Sequence, residues 1–140
     1  MPVVPGDVMM QTIMDYDGCL KAGSRLGSAG VIVMDDSTCM VDALLRISEF
    51  YMEESCGQCT PCREGTGWLV RMIERIEHGH GEEGDLEKLR QVAKNIEGRT
   101  ICALGEAAAW PVASFLKHFY DEFAEHVKLK CCPFKKPEQV

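Results

Sequence analysis

Three cysteines at successive two-residue intervals, Cys56, Cys59 and Cys62, stand in the stretch Glu54-Ser55-Cys56-Gly57-Gln58-Cys59-Thr60-Pro61-Cys62-Arg63-Glu64-Gly65. A tight loop with that spacing folds three thiolates around one centre, which suits the corners of an iron–sulfur cube better than two separate metal-binding pairs. Gly57 lets the backbone curl. Pro61 stiffens the approach to Cys62, and the amides that follow open a helix whose N-terminus favours the negative charge of a thiolate-ligated group. Arg63 adds a cation beside it.

A 4Fe-4S cube needs four ligands, and the ferredoxin continuation Cys-x3-Cys-Pro is missing here, since Cys62 is followed by Arg63, Glu64, Gly65 and Thr66. The strongest candidate for the fourth is Cys102, in the break Gly98-Arg99-Thr100-Ile101-Cys102-Ala103-Leu104-Gly105. Two other readings of the thiols stay open. Structural zinc usually presents two separated Cys-x2-Cys knuckles, and Cys102 has no partner at that spacing. A redox dithiol at Cys56 and Cys59, or at Cys59 and Cys62, lacks the strand-to-helix setting such pairs occupy. Cys19 and Cys39 read as small buried hydrophobes. Cys131 and Cys132 fall in the tail, open to weak metal binding or oxidation. His78-Gly79-His80 resembles a metal clip but lies in an acidic, glycine-rich loop and reads as solvated; His118 and His126 receive no role. No nucleophile, base and orienting acid group presents itself.

The elements that must position these thiols are helical. Met40, Val41, Leu44, Leu45, Ile47 and Tyr51 form one stripe, capped by Ser37 or Thr38 and ending near Glu54. Trp68, Leu69, Met72, Ile73 and Ile76 form a second that stops at His78-Gly79. Asp85 caps a third, with Leu86, Leu89, Val92, Ala93 and Ile96 on one face and Gly98 closing it. Pro111 suits the first turn of a fourth, in which Val112, Phe115, Leu116, Phe119, Phe123 and Val127 share a face. Four apolar faces with short connections predict a mainly α fold, an antiparallel four-helix bundle. Its 1–2 and 3–4 connections fall at one end, which is what carries Cys102 toward the cysteine loop. Ahead of the bundle, Val31-Ile32-Val33-Met34 between Gly30 and Asp35-Asp36 predicts a short buried strand. The glycines from Gly23 to Gly30 read as turns and not as a phosphate loop, because no Gly-Lys-Ser/Thr ending follows. The chain divides into a segment over 1–37, a helical domain over 38–128 and a loosely ordered tail over 129–140.

With 140 residues, 46% of them apolar, the chain can hold a core without disulfide staples, so its eight cysteines need another reason. Fifteen basic against 22 acidic side chains leave a net charge of −7, which disfavours nucleic acid and anionic membranes. No signal-like segment opens the chain, so a reducing compartment and free thiols are expected. No apolar run approaches the length that spans a bilayer.

Residues Glu54 to Trp68, with Cys102-Ala103-Leu104-Gly105, resemble the cluster motif of the NADH-binding flavoprotein subunit of respiratory complex I and the related diaphorase subunits of NAD-linked hydrogenases and formate dehydrogenases. Residues Met14-Asp15-Tyr16-Asp17 and Ala22-Gly23-Ser24 through Asp35 are similar to the end of that family's β-grasp domain, of soluble-ligand-binding type. The resemblance implies a C-terminal piece in which Cys56, Cys59, Cys62 and Cys102 hold one 4Fe-4S cluster, preceded by a β-grasp remnant over 1–37. It implies electron transfer from NADH through flavin mononucleotide, held by the family's N-terminal region, to further iron–sulfur subunits and finally quinone. The expected partners are that flavin- and NADH-binding part and those other subunits. The expected place is the peripheral arm of a membrane-bound complex, on the cytoplasmic side or, in mitochondria, the matrix side. A free-standing iron–sulfur or structural-zinc interaction module is the alternative.

Overall fold

The computed structural model describes residues 2–135. They form seven helices: α1 (Gly6–Met10), α2 (Tyr16–Lys21), α3 (Met40–Glu53), α4 (Thr60–Glu77), α5 (Asp85–Ile96), α6 (Leu104–His118) and α7 (Tyr120–Leu129). The fold is mainly α, and no strand occurs among the described residues.

Helices α3 to α6 pack in a closed cycle, α3 on α4, α4 on α5, α5 on α6 and α6 back on α3, while α7 leans on α3, α4 and α6. Each contributes one apolar stripe to a shared core: Val41, Leu44 and Leu45 from α3, Leu69, Ile73 and Ile76 from α4, Leu89, Ala93 and Ile96 from α5, and Val112, Phe115 and Leu116 from α6. Glycine sits where helices or loops press closest. A Cβ on Gly65 would stand 2.6 Å from Ile96 Cγ1, and one on Gly79, at φ +78°, would strike the Lys130 carbonyl.

Several boundaries differ from the expectation. α4 begins at Thr60, so the cysteine loop runs straight into the helix with Pro61 in its first turn. Trp68 is 51% exposed and stands outside the core stripe. Gly84, at φ +89°, takes the N-cap of α5, and Asp85 is that helix's first residue. The expected fourth helix is two. α6 starts seven residues before Pro111, which lies inside it, and the chain breaks at Phe119 (φ −127°, ψ 26°) before α7. The break turns Phe123 and His126 into the core.

The strand reading of Val31 to Met34 is corrected: these residues carry no strand, and Ile32 and Val33 are 80% and 89% exposed. Their β propensity finds no partner among the described residues, and a lone strand leaves its ladder bonds unmade. The N-terminal segment is tied to the helices elsewhere. Val3 N–H donates to Ser114 Oγ at 2.9 Å, and the Arg25 guanidinium lies 4.9 Å from the Trp110 ring centre. The tail also differs from its expected looseness, since Cys132 is buried in the core and Lys135 pairs with Glu77 and Asp42; residues 136–140 lie outside the described residues.

Candidate metal centre

The cysteine loop is held from both sides. Ser55 Oγ lies 3.2 Å from Cys62 Sγ and accepts the Gly57 N–H at 3.4 Å. Gly57, at φ +75°, makes the reversal, and Arg63 reaches back so that Nη1 donates to the Gly57 carbonyl at 2.9 Å. Cys59 occupies the N-cap of α4, Cys62 is the third residue of that helix, and Thr66 Oγ1 donates to the Cys62 carbonyl at 2.8 Å. Both sulfurs therefore stand at the positive end of an 18-residue helix.

The second loop, between α5 and α6, closes on the first. The Ile101 N–H donates to Cys59 Sγ at 3.2 Å, which places the neighbouring Cys102 at the same end of the helices. Thr100 Oγ1 donates to the Cys102 carbonyl at 2.9 Å, and Glu106, in the first turn of α6, accepts the Gly98 N–H at 3.2 Å. Cys62 is buried, Cys59 half-buried, and Cys56 and Cys102 exposed, so the site opens at the surface. All four are free thiols.

Four free thiols with an amide donor on one of them make a donor set suited to thiolate-ligated metal. N–H···S bonds such as that from Ile101 are how proteins steady the thiolates that ligate an iron–sulfur cluster.

A second group, which no sequence motif announces, lies at the far end of the helices. Cys39, Glu77, His126 and Cys132 are all buried, with their ligand atoms within 4.8 Å of one another. Cys39 is buried in the core as expected, whereas the reading of Cys132 as an exposed tail thiol is corrected, since it is buried beside Cys39. The members of the group are separated by 38, 49 and 6 positions in the chain, which leaves no spacing to recognise. Burial pushes the Cys39 thiol up. Burial also opposes charge on Glu77, but His126 and Lys135 outweigh it and hold the carboxyl at about 2. His126 lies above its ordinary value because Glu77 and the Glu122 carbonyl outweigh its burial. His78, His80 and His118 are exposed, as a solvated role requires.

A helical domain that presents four free thiols from two meeting loops is of the iron–sulfur-binding class. Residues 42–126 match the family described as the NADH-ubiquinone oxidoreductase-F iron-sulfur binding region, a 4Fe-4S family, and the chain belongs to it. It is 53% identical over 126 residues to an NADH-quinone oxidoreductase subunit of Rhizobium meliloti (strain 1021), covering 90% of this chain and 29% of that protein. It is 49% identical over 127 residues to the corresponding NADH-quinone oxidoreductase subunit of Rickettsia bellii (strain OSU 85-389), covering 91% and 30%. The chain thus spans less than a third of these relatives' length. Among solved structures it resembles a chain of an NAD+-reducing [NiFe]-hydrogenase in the H2-reduced state, with a TM-score of 0.61 and 30% identity over 72% of this chain and 17% of that one. No helix among the described residues is long and apolar enough to cross a membrane.

Proposed function

We propose that the chain is the electron-relay portion of an NADH:quinone oxidoreductase, with Cys56, Cys59, Cys62 and Cys102 as the ligands of its 4Fe-4S centre. The observation that carries this is the Ile101-to-Cys59 bond, which draws the Cys102 loop against the three-cysteine loop inside the span that matches the family. When bound, such a centre supplies one-electron redox chemistry, the step that a two-electron hydride donor such as NADH cannot perform alone. The chain's own residues contribute the rest. Two sulfurs sit at the N-terminus of α4, where the helix dipole offsets thiolate charge. The Ile101 amide stabilises the same charge by a hydrogen bond, and exposed Cys56 and Cys102 leave one edge of the site at the surface for electron entry or exit.

In this reading flavin mononucleotide and NADH belong to a flavin-binding part outside these 140 residues, and the electrons pass to other iron–sulfur subunits. Residues 1–37 are then the end of a β-grasp unit, 38–128 a helical iron–sulfur domain and 129–140 a tail, all on the peripheral arm of the complex. Exposed Val31, Ile32 and Val33 support the β-grasp assignment, since an apolar segment of β-favouring residues left uncovered fits one that another segment would complete. The likeness to an NAD+-reducing hydrogenase favours a second host, a diaphorase unit of such an enzyme.

The test is metal and sulfide analysis of the chain reconstituted without oxygen, followed by EPR of the reduced form. About four iron and four sulfide per chain are expected for one cubane. Zinc in place of iron, lost when Cys59 is changed to Ser, overturns the reading.

A further inference from the structure

The buried quartet at the far end of the helices has the dimensions of an ion's first shell. Cys39 Sγ lies 3.6 Å from Cys132 Sγ, 3.3 Å from His126 Nε2 and 3.5 Å from Glu77 Oε2, and the last two atoms are 3.4 Å apart. A tetrahedral zinc site with bonds of about 2.3 Å to sulfur and about 2.0–2.1 Å to nitrogen or oxygen has edges of roughly 3.8 Å between sulfurs, 3.5–3.6 Å from sulfur to nitrogen or oxygen, and 3.4 Å between nitrogen and oxygen. The four observed edges match this set to within about 0.3 Å.

The surroundings complete the comparison. His126 Nδ1–H donates to the Glu122 carbonyl at 2.8 Å, which fixes the ring and turns Nε2 toward Cys39 Sγ and Glu77 Oε2, the second-shell arrangement metal-binding histidines adopt. Glu77 Oε1 pairs with Lys135 Nζ at 2.8 Å, leaving Oε2 for the centre. Two thiolates and one carboxylate carry −3, a divalent ion reduces this to −1, and Lys135, shared with Asp42, lies beside the remaining charge. Two thiols, a carboxylate and an imidazole meet here in a space closed to solvent, each side chain already within reach of the others. A nucleophilic role is excluded, because Cys39 and Cys132 are each only 7% exposed.

We propose that Cys39, Glu77, His126 and Cys132 form a closed structural site for one zinc-class divalent cation, distinct from the cysteine loop. All four positions of the shell come from protein, which leaves none open for substrate. The ligands come from four places: the N-cap of α3, the last residue of α4, α7, and the segment after α7. Zinc there ties α7 and the following segment to the helix pair whose other end carries the cysteine loop. At 1.5 Å per residue, α3 alone separates the two sites by about 20 Å. Cys39 and Cys132 also lie outside the residues that match the family, 42–126. The site is therefore independent of the iron–sulfur reading.

The experiment uses the 140-residue chain purified without oxygen, its metals counted and its zinc environment measured by X-ray absorption. About one zinc per chain is expected, with two sulfur neighbours at about 2.3 Å and two nitrogen or oxygen neighbours at about 2.0–2.1 Å. Cys132→Ala is expected to cut zinc at least tenfold and keep iron, whereas Cys102→Ser does the reverse. If Cys132→Ala fails to fold, cobalt(II) added to the zinc-stripped wild-type chain decides: intense tetrahedral bands with thiolate charge transfer support the site, and octahedral cobalt overturns it. Four sulfurs around zinc, zinc below a tenth of the chain concentration, or a Cys39–Cys132 disulfide in protein kept from oxygen each overturn the proposal.

Discussion

The backbone N–H of Ile101 donates to Cys59 Sγ at 3.2 Å, joining two loops whose bonded residues lie 42 positions apart. The bond does two things at once. It fixes Cys102 near the three-cysteine loop, and it puts a donor on a sulfur that must carry negative charge when it ligates metal.

If Cys102 completes that site, Cys102→Ser should release the cluster as fully as Cys59→Ser, from about four iron per chain to below about one. Cys19→Ser is the control. Cys19 is buried in α2, outside both loops, and its replacement should leave the EPR signal of the reduced chain unchanged. A normal signal from Cys102→Ser would remove Cys102 from the ligand set.

Gly105 supports the same loop from below. A Cβ there would run into the Thr100 side chain, whose Oγ1 holds the Cys102 carbonyl at 2.9 Å. Gly105→Ala should therefore cost about 1–3 kcal/mol as an overpacked contact and speed iron loss in air. Gly6→Ala, where nothing lies within 4 Å, should change neither the urea midpoint by more than a few tenths of a molar nor the rate of iron loss.

Much of this scaffold was legible because helices α3, α4 and α5 each bury one stripe, and a period of 3.6 leaves its mark on the sequence. The start of α6 was not. Leu104 to Ala109 carries too many small apolar residues to show a face, and Pro111 looks like a helix start although proline is tolerated mid-helix when the surrounding packing compensates. Val31 to Met34 misled for the opposite reason: a strand exists only through its partners, and β propensity says nothing of whether they are present. At the site, Cys56, Cys59 and Cys62 were legible because one loop supplies all three. Cys39, Glu77, His126 and Cys132 were not, since only the packing of α7 against α3 and α4 brings them together.

Asp85 is fully buried and meets Arg75 Nη2 at 2.5 Å, Lys88 Nζ at 3.2 Å and the Glu82 N–H at 2.8 Å. Burial opposes its charge, but the Glu82 amide, Lys88 and Arg75 prevail and hold its carboxyl below the ordinary value of 3.8. A depressed folded value means that the carboxylate stabilises the fold fully above the unfolded value, and that this contribution is lost as pH falls through the folded one. Asp85→Asn should cost about 1–3 kcal/mol at pH 7, with allowance for the partial exposure of both cations. The gap between wild type and variant in urea unfolding should narrow below about pH 4. A gap that stays constant from pH 7 to pH 3 would show that Asp85 acts through packing alone.

The last expectation separates a relay from a complete dehydrogenase. Nucleotide phosphates are usually gathered by glycine-loop amides at the N-terminus of a following helix. In this chain the glycine-rich segment Gly23 to Gly30 leads into exposed, non-helical Val31 to Val33, so its amides have no helix dipole behind them. The net charge of −7 adds general repulsion toward a dinucleotide. The 140-residue chain, loaded with its cluster, should therefore be reduced by dithionite and not by NADH, and added flavin mononucleotide should separate from it on gel filtration. Adding the flavin-binding part of a relative in trans should restore NADH-dependent reduction only if residues 1–37 dock onto it, because exposed Ile32 and Val33 are the apolar edge that such docking would cover. NADH–ferricyanide activity of the chain above that of its Cys59→Ser form, or flavin retained through the column, would place nucleotide chemistry within these residues and refute the relay assignment.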